Sequence, residues 1–218
     1  MAIVSNPLIG RTKQSAGNMT FTKWKDKNVL KNKATEVNNP RSPKQQAQRN
    51  AFAFLVQVFP LVAEAINIGF KRISTSMTVF NMFIKENFAS GGVQANLTPP
   101  YDPISTAADL KISKGTLLNT ELSTASADAS ASEVVVTWPT AVSYNQSASD
   151  TIFVLVHNAD SNEWKSFDTG IARSVGTATL NSAGLALTAG DELNVYSFFY
   201  SASGEASDNT YNLVTVVA

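Results

Sequence analysis

The spacing of apolar residues changes character twice along the chain, and three kinds of segment follow from it. Up to residue 41 neither alternation nor a helical period persists, and Asn, Gly, Lys and Thr dominate. An extended arm is expected there, with a short hairpin around Met19-Thr20-Phe21-Thr22-Lys23-Trp24, where alternate residues suit a strand. Such an arm has too little apolar surface to offset its own ordering entropy, so its order is expected to come from elsewhere.

A helix start is written at Ser42-Pro43-Lys44-Gln45. Ser42 suits the cap, Pro43 the first helical position because it has no amide to leave unpaired, and Gln45 completes a capping box. Ala47, Ala51, Phe54, Leu55, Val58, Leu61, Val62, Ala65 and Ile66 then keep the spacing of an amphipathic helix, which Pro60 kinks or divides. Phe52, Val56 and Phe59 widen the stripe, so this helix calls for partners on more than one side. A second helix is expected over residues 75–88, with Met77, Phe80, Phe83, Ile84 and Phe88 on its buried side and Gly91-Gly92 as the stop.

Residues 93–110 hold Pro99-Pro100-Tyr101-Asp102-Pro103 and read as a semi-rigid linker. Beyond it, short strands recur about every ten residues, the pattern of an all-β sandwich. The expected strands are 111–118, 133–138, 151–158, 163–168, 177–180, 192–201 and 211–217. Val134, Val136 and Trp138 share one face, as do Ile152, Val154 and Val156, and residues 158–162 close a hairpin into Glu163-Trp164. The Trp138 placement, Tyr196 and the Val-rich last strand resemble a fibronectin type III or related immunoglobulin-like domain. The expected fold is therefore α+β: a basic extended arm (1–41) and an αα-hairpin segment (42–92), then the linker (93–110) and an immunoglobulin-like sandwich of about seven strands (111–218).

Charge sharpens this division. Residues 1–90 carry thirteen Lys or Arg against four acids, and residues 91–218 four against thirteen, so a formal net charge of zero hides a surplus of nine at each end. Such a molecule attracts nucleic acid, acidic protein surfaces or the opposite end of its own copies. There is no cysteine. The start, Met1-Ala2-Ile3-Val4-Ser5-Asn6-Pro7, has no charged n-region followed by an apolar run, and Gln57, Glu64 and Asn67 interrupt the longest apolar stretch. Synthesis in a cytoplasm and no membrane span are expected.

Catalytic ingredients are scarce. With His157 the single histidine, neither a Cys-His pair nor a multi-histidine zinc site fits in one chain. His157 has outward parity on its strand and is expected on the surface, and Asp160, Asp168, Asp191 and Glu192 fall mainly at predicted turns. The segment 158–163 has alternate oxygen ligands but lacks the glycine and the spaced Glu of a calcium loop, and Ser90-Gly91-Gly92 lacks the Lys of a phosphate loop. No catalytic residue, cofactor or metal is assigned. Phe21-Thr22-Lys23-Trp24-Lys25-Asp26-Lys27 interleaves cations and aromatics that suit stacking on bases and pairing with phosphates, though Lys dominates over Arg.

Pro7-Leu8-Ile9-Gly10-Arg11-Thr12-Lys13, Gly17-Asn18, Trp24-Lys25 and above all residues 39–49, Asn39-Pro40-Arg41-Ser42-Pro43-Lys44-Gln45-Gln46-Ala47-Gln48-Arg49, carry a further likeness. So do residues 172–180 and 200–204. Together they resemble a family of Bacteroidota and their phages known only as a domain of unknown function. The resemblance brings no activity or catalytic residues, and Asp26 stands where that family usually has Gly. It implies a phage or prophage origin.

The expected function is that of a non-enzymatic virion structural protein, a neck or tail ring component or capsid accessory protein, docking on other virion proteins and copies of itself. Its expected contacts are Lys23, Trp24, Lys25, Arg41, Arg49, Phe52, Phe59 and Phe80, since desolvated aromatics dominate interface energetics. The alternatives are a nucleic-acid-associated protein using the basic arm, or a surface adhesin or glycan-binding module.

Overall fold

Strand pairing begins earlier than the expected short hairpin. The computed structural model of the chain describes residues 2–4, 14–24, 27–34, 36, 39–71, 77–89 and 92–218. Its contacts fall into two compact units, Met1–Arg41 and Ser42–Ala218. In the first, β1 (Ala2–Val4), β2 (Gln14–Ala16), β3 (Met19–Trp24) and β4 (Lys27–Asn32) form an antiparallel sheet in the order β1-β4-β3-β2. Gly17-Asn18 links β2 to β3 with Ala16 opposite Met19, and Gly17 supplies the turn's φ of 57°.

The second unit opens with α1 (Pro43–Val58). The Ser42 hydroxyl accepts from the Gln45 amide at 3.4 Å, and the Gln45 side-chain oxygen accepts from the Ser42 amide at 3.3 Å. Two orphan amides are thereby satisfied in the reciprocal way the sequence pattern predicts. Phe59–Leu61 tightens into a 3₁₀ turn because Pro60 has no amide to continue the ladder, and the axis bends by 89° into α2 (Ala63–Gly69). The second expected helix appears as α3 (Val79–Ala89), with the Thr78 hydroxyl accepting from the Asn81 amide, while residues 72–76 and 90–91 lie outside the described residues.

The strands that follow are β5 (Val93–Gln94), β6 (Ile104–Ser105), β7 (Thr124–Asp128), β8 (Glu133–Thr137), β9 (Thr151–Asn158), β10 (Glu163–Ala172), β11 (Thr177–Asn181), β12 (Glu192–Tyr200) and β13 (Thr210–Val217). Seven of them run in the order β10-β9-β12-β13-β7-β8-β11. A short parallel pairing, Val216 with Ala127 and Val217 with Asp128, joins the antiparallel sheets β10-β9-β12-β13 and β7-β8-β11. The fold is α+β with an immunoglobulin-like sandwich.

Side-chain alternation then assigns two cores. Ile152, Val154, Val156, Leu193, Val195 and Phe199 face Val134, Val136 and Trp138 inside the sandwich. Phe153, Leu155, Tyr196 and Phe198 point the other way and meet Leu55, Val62, Ile66, Met82 and Phe83 of the helices. Each such fully buried apolar side chain contributes about 1.5–3 kcal/mol of transfer free energy. The helical segment and the sandwich therefore share a core.

Two further expectations need correction. Residues 111–118 do not form a strand. Their backbone is shared among scattered partners instead: Asn87 of α3 donates to Lys111 O and accepts from Lys111 N, both at 2.8 Å, Asn209 accepts from Ile112 N at 3.0 Å and donates to the preceding Leu110 O at 3.1 Å, and Lys114 N and Leu117 N donate to Gly69 O and Ala206 O, both at 3.2 Å. The strand completing the seven is β7, Thr-Ala-Ser-Ala-Asp, in which only Thr124 favours a strand and which forms because β8 and β13 flank it. Residues 93–110 are no free spacer either: β5 pairs with β6, and Val93 and Leu110 are buried in the helix-side core.

Candidate functional site

Arg49 and Phe52 come together on the solvent side of α1. The helix turns Ala47, Ala51, Leu55 and Val58 inward, while Phe52 stays 46% exposed and Val56 40%. Gln45, Gln48, Arg49 and Phe52 line an open recess of about 390 Å³ with Phe88 of α3 as its far wall. The widened apolar stripe thus has a plain outcome: one face is spent on the core, and a second is left outside. Phe59 and Phe80 are half-buried and meet each other edge to face at 4.9 Å, with Phe83 6.0 Å from Phe59. An intrachain partner accounts for both rings. Arg41 is exposed at the end of the first unit with φ of 46°. Lys25 and the side chains of Lys23 and Trp24 lie outside the described residues.

His157 is not the surface residue its parity suggests. The face turned away from the sandwich is the face the helices cover, so outward parity leads into a second core. The imidazole is half-buried and stacks on Trp164, its cross-strand neighbour, with centroids 3.9 Å apart. Tyr211 donates its hydroxyl to Asn194 Oδ1 at 2.8 Å, which turns the Asn194 amide nitrogen toward His157 Nδ1 at 3.2 Å. Nδ1 therefore accepts, and Nε2–H donates to Asn162 Oδ1 at 3.2 Å. Burial holds the imidazole below its ordinary value of 6.5, partly opposed by the Asn162 hydrogen bond.

A depressed pKa in the folded state makes the neutral form the stabilising one. Its contribution is complete above the unfolded value of 6.5 and is lost as pH falls below that value toward the folded one. The midpoint of urea unfolding is expected to fall between pH 7.5 and pH 5.5, and His157→Gln to flatten the slope in this window. Asp128, held below 3.8 by the Ser130 hydroxyl and then by the Ala131 amide, acts at lower pH and does not overlap it.

The calcium-like segment is a turn whose oxygens serve backbone amides. Asn158 Oδ1 accepts from the Asp160 amide at 2.9 Å, Asp160 Oδ2 from the Glu192 amide at 2.9 Å, and Glu163 Oε2 from the Ala186 amide at 2.8 Å. Among the described residues no group of three His, Asp or Glu is placed to hold a metal ion, and no single helix is long and apolar enough to cross a membrane.

One buried cation escaped sequence reasoning. Arg173 is fully buried, with Nε 3.7 Å from Asp150 Oδ2, Nη1 donating to Thr120 Oγ1 and the guanidinium 3.8 Å from the Phe199 ring centroid. Its carbonyl accepts from Trp138 Nε1 at 2.8 Å. The stretch 172–180, singled out above for its resemblance, thus contains the polar centre of the sandwich.

A family model described as a family of unknown function (DUF6266) matches residues 11–213. No curated protein matches the chain. Among solved structures, a family 76 glycoside hydrolase from a bovine Bacteroides thetaiotaomicron strain is 16% identical with a TM-score of 0.31, over 45% of this chain and 20% of that one. The FN1–FN3 domains of chicken CNTN1 are 13% identical with a TM-score of 0.35, over 48% of this chain and 36% of that one. The matched regions are thus about a fifth and just over a third of those proteins.

Proposed function

The chain belongs to the family of unknown function DUF6266, and from that premise we propose that it is a non-enzymatic structural protein of a phage virion, a neck or tail ring component or capsid accessory protein. It docks through its N-terminal unit and the outward face of α1. The Bacteroidota or phage origin implied by residues 39–49 is part of this proposal, as is assembly with other virion proteins and with its own copies.

The observation that carries the reading is the exposed pair Phe52 and Val56 on a helix whose folding requirement is already met by its other face. Apolar side chains one turn apart beside Arg49 fit an interface better than a solvated surface. Charge supports it: Met1–Arg41 carries eight Lys or Arg against two acids, and Ser42–Ala218 nine against fifteen. Opposite surpluses of six favour contact between the first unit of one molecule and the second unit of another.

Deleting residues 1–41 is expected to abolish incorporation into particles while leaving 42–218 folded, as mass spectrometry of purified particles and circular dichroism would show. Normal incorporation of the truncated chain would overturn the role given to the first unit. The cationic surplus of that unit also favours the second reading, nucleic-acid association. There, affinity falls steeply with salt because phosphate contacts release counterions, and a flat response removes it. For the adhesin or glycan-binding reading the unit to assay is 42–218 rather than 111–218, since removing the helices uncovers Phe153, Leu155 and Phe198.

A further inference from the structure

We propose that the pocket beside His157 is a binding site for a small uncharged molecule with a single aromatic ring. The site lies within Ser42–Ala218, so it stands whether or not the first unit docks on a neighbour. Phe54 and Val58 of α1 form one wall, buried Leu110 another, and Trp164, Tyr196 and His157 the sheet side. Ser105 and Thr106, both exposed, form the mouth.

Size sets the first limit. The pocket holds about 170 Å³ and opens past Ser105 and Thr106, and an enclosed apolar cavity of about 150 Å³ is known to take up benzene. One ring with a small substituent fits.

Polarity sets the second limit. Both His157 nitrogens are engaged, with Asn194 and Asn162, and the Tyr196 hydroxyl donates to Ala107 O at 2.8 Å. The polar atoms of His157 and Tyr196 are therefore satisfied within the chain, and no Lys or Arg lines the pocket to receive an anionic group. Burial raises the pKa of the Tyr196 hydroxyl, so that group stays neutral.

Ring geometry sets the third. The His157 and Trp164 planes lie 17° apart, and those of Trp164 and Tyr196 lie 11° apart with centroids separated by 6.4 Å. A wall of nearly parallel rings favours an added ring packed offset or edge-on over a flexible alkyl chain.

The full chain would be titrated with p-cresol, toluene and benzoate, following the indole N–H resonance of Trp164, with those of Trp24 and Trp138 as internal references. The expected result is a saturable shift of Trp164 with both neutral rings. Benzoate should bind about tenfold more weakly or worse, because its charge must be desolvated without a partner. Ser105→Phe, at the exposed mouth, and Val58→Phe, inside, should each weaken p-cresol binding by about tenfold, in the range that pocket contacts of this size command. No saturable shift with either neutral probe, benzoate binding as well as toluene, or unchanged binding in Ser105→Phe would each overturn the proposal. Ser105→Phe decides alone if Val58→Phe does not fold.

Discussion

Arg173→Met is expected to lower the stability of the Ser42–Ala218 unit by about 3–5 kcal/mol, the loss typical of removing one partner from a buried ion pair. The substitution keeps volume and stem, so cavity formation contributes little. What it removes is the cation. Asp150, 2% exposed, then keeps the Ser147 amide at 2.7 Å but loses the guanidinium 3.7 Å away. Thr120 Oγ1 loses one of its two donors and keeps Gln146 Nε2 at 2.9 Å, and the Phe199 ring loses the charge lying 3.8 Å from its centroid. Arg173→Lys restores charge without the planar group that rests on Phe199 while reaching Thr120, so it should recover only part of the loss. Pairing Arg173→Met with Asp150→Asn should recover more than additivity allows, because it removes the stranded acid along with the cation. Urea unfolding at pH 7.5 of the wild type, Arg173→Met, Arg173→Lys, Asp150→Asn and the double variant measures all of this. A loss below about 1 kcal/mol for Arg173→Met would show that the site is hydrated and the pair dispensable.

Gly115→Ala is expected to cost about 3 kcal/mol, at the upper end for added bulk in a packed site. A Cβ there would lie 1.7 Å from the carbonyl oxygen of Ala206 and 2.6 Å from its carbonyl carbon. Both are backbone atoms, so no rotamer change relieves the clash. The same carbonyl accepts from Leu117 N at 3.2 Å, and Gly115 N donates to Asp208 Oδ1 at 3.2 Å, so parting the two segments breaks bonds on both sides. Gly190→Ala is the control, since nothing lies within 4 Å of a Cβ there and only its φ of 99° is at stake. Its cost should be near 1 kcal/mol. Thermal or urea unfolding separates the two, and equal losses would contradict the close approach at Gly115.

Local chemistry was the legible part of this fold. The start of α1 could be read because Ser42 and Gln45 satisfy each other within one turn. β9 could be read because Thr151–Asn158 is an apolar run ending in an Asx turn. Residues 111–118 could not, since what occupies their backbone is Asn87 on one side and Asn209 almost a hundred positions away on the other. Nor could the environment of His157 be read from parity, although the hairpin closed at 158–163 already places Trp164 across from it. The missing fact was that helices cover that face. Of the expected contact residues, Arg49 and Phe52 share a recess because they lie one turn apart, whereas the pairing of Phe59 with Phe80 depends on how the bend at Pro60 meets α3.

A strand that is apolar on both faces raises a question of alignment. In β9, shifting Ile152, Val154 and Val156 by one place would put Phe153 and Leu155 in the sandwich and still bury hydrocarbon everywhere, so greasiness alone does not choose between the two settings. The choice falls to the hairpin end. Asn158 donates to Ala186 O at 3.0 Å and to Asp191 Oδ2 at 2.9 Å while accepting from the amides of Asp160 and Ser161. A polar peg at the last residue of the strand thus keeps five apolar residues, Ile152 to Val156, from sliding out of register.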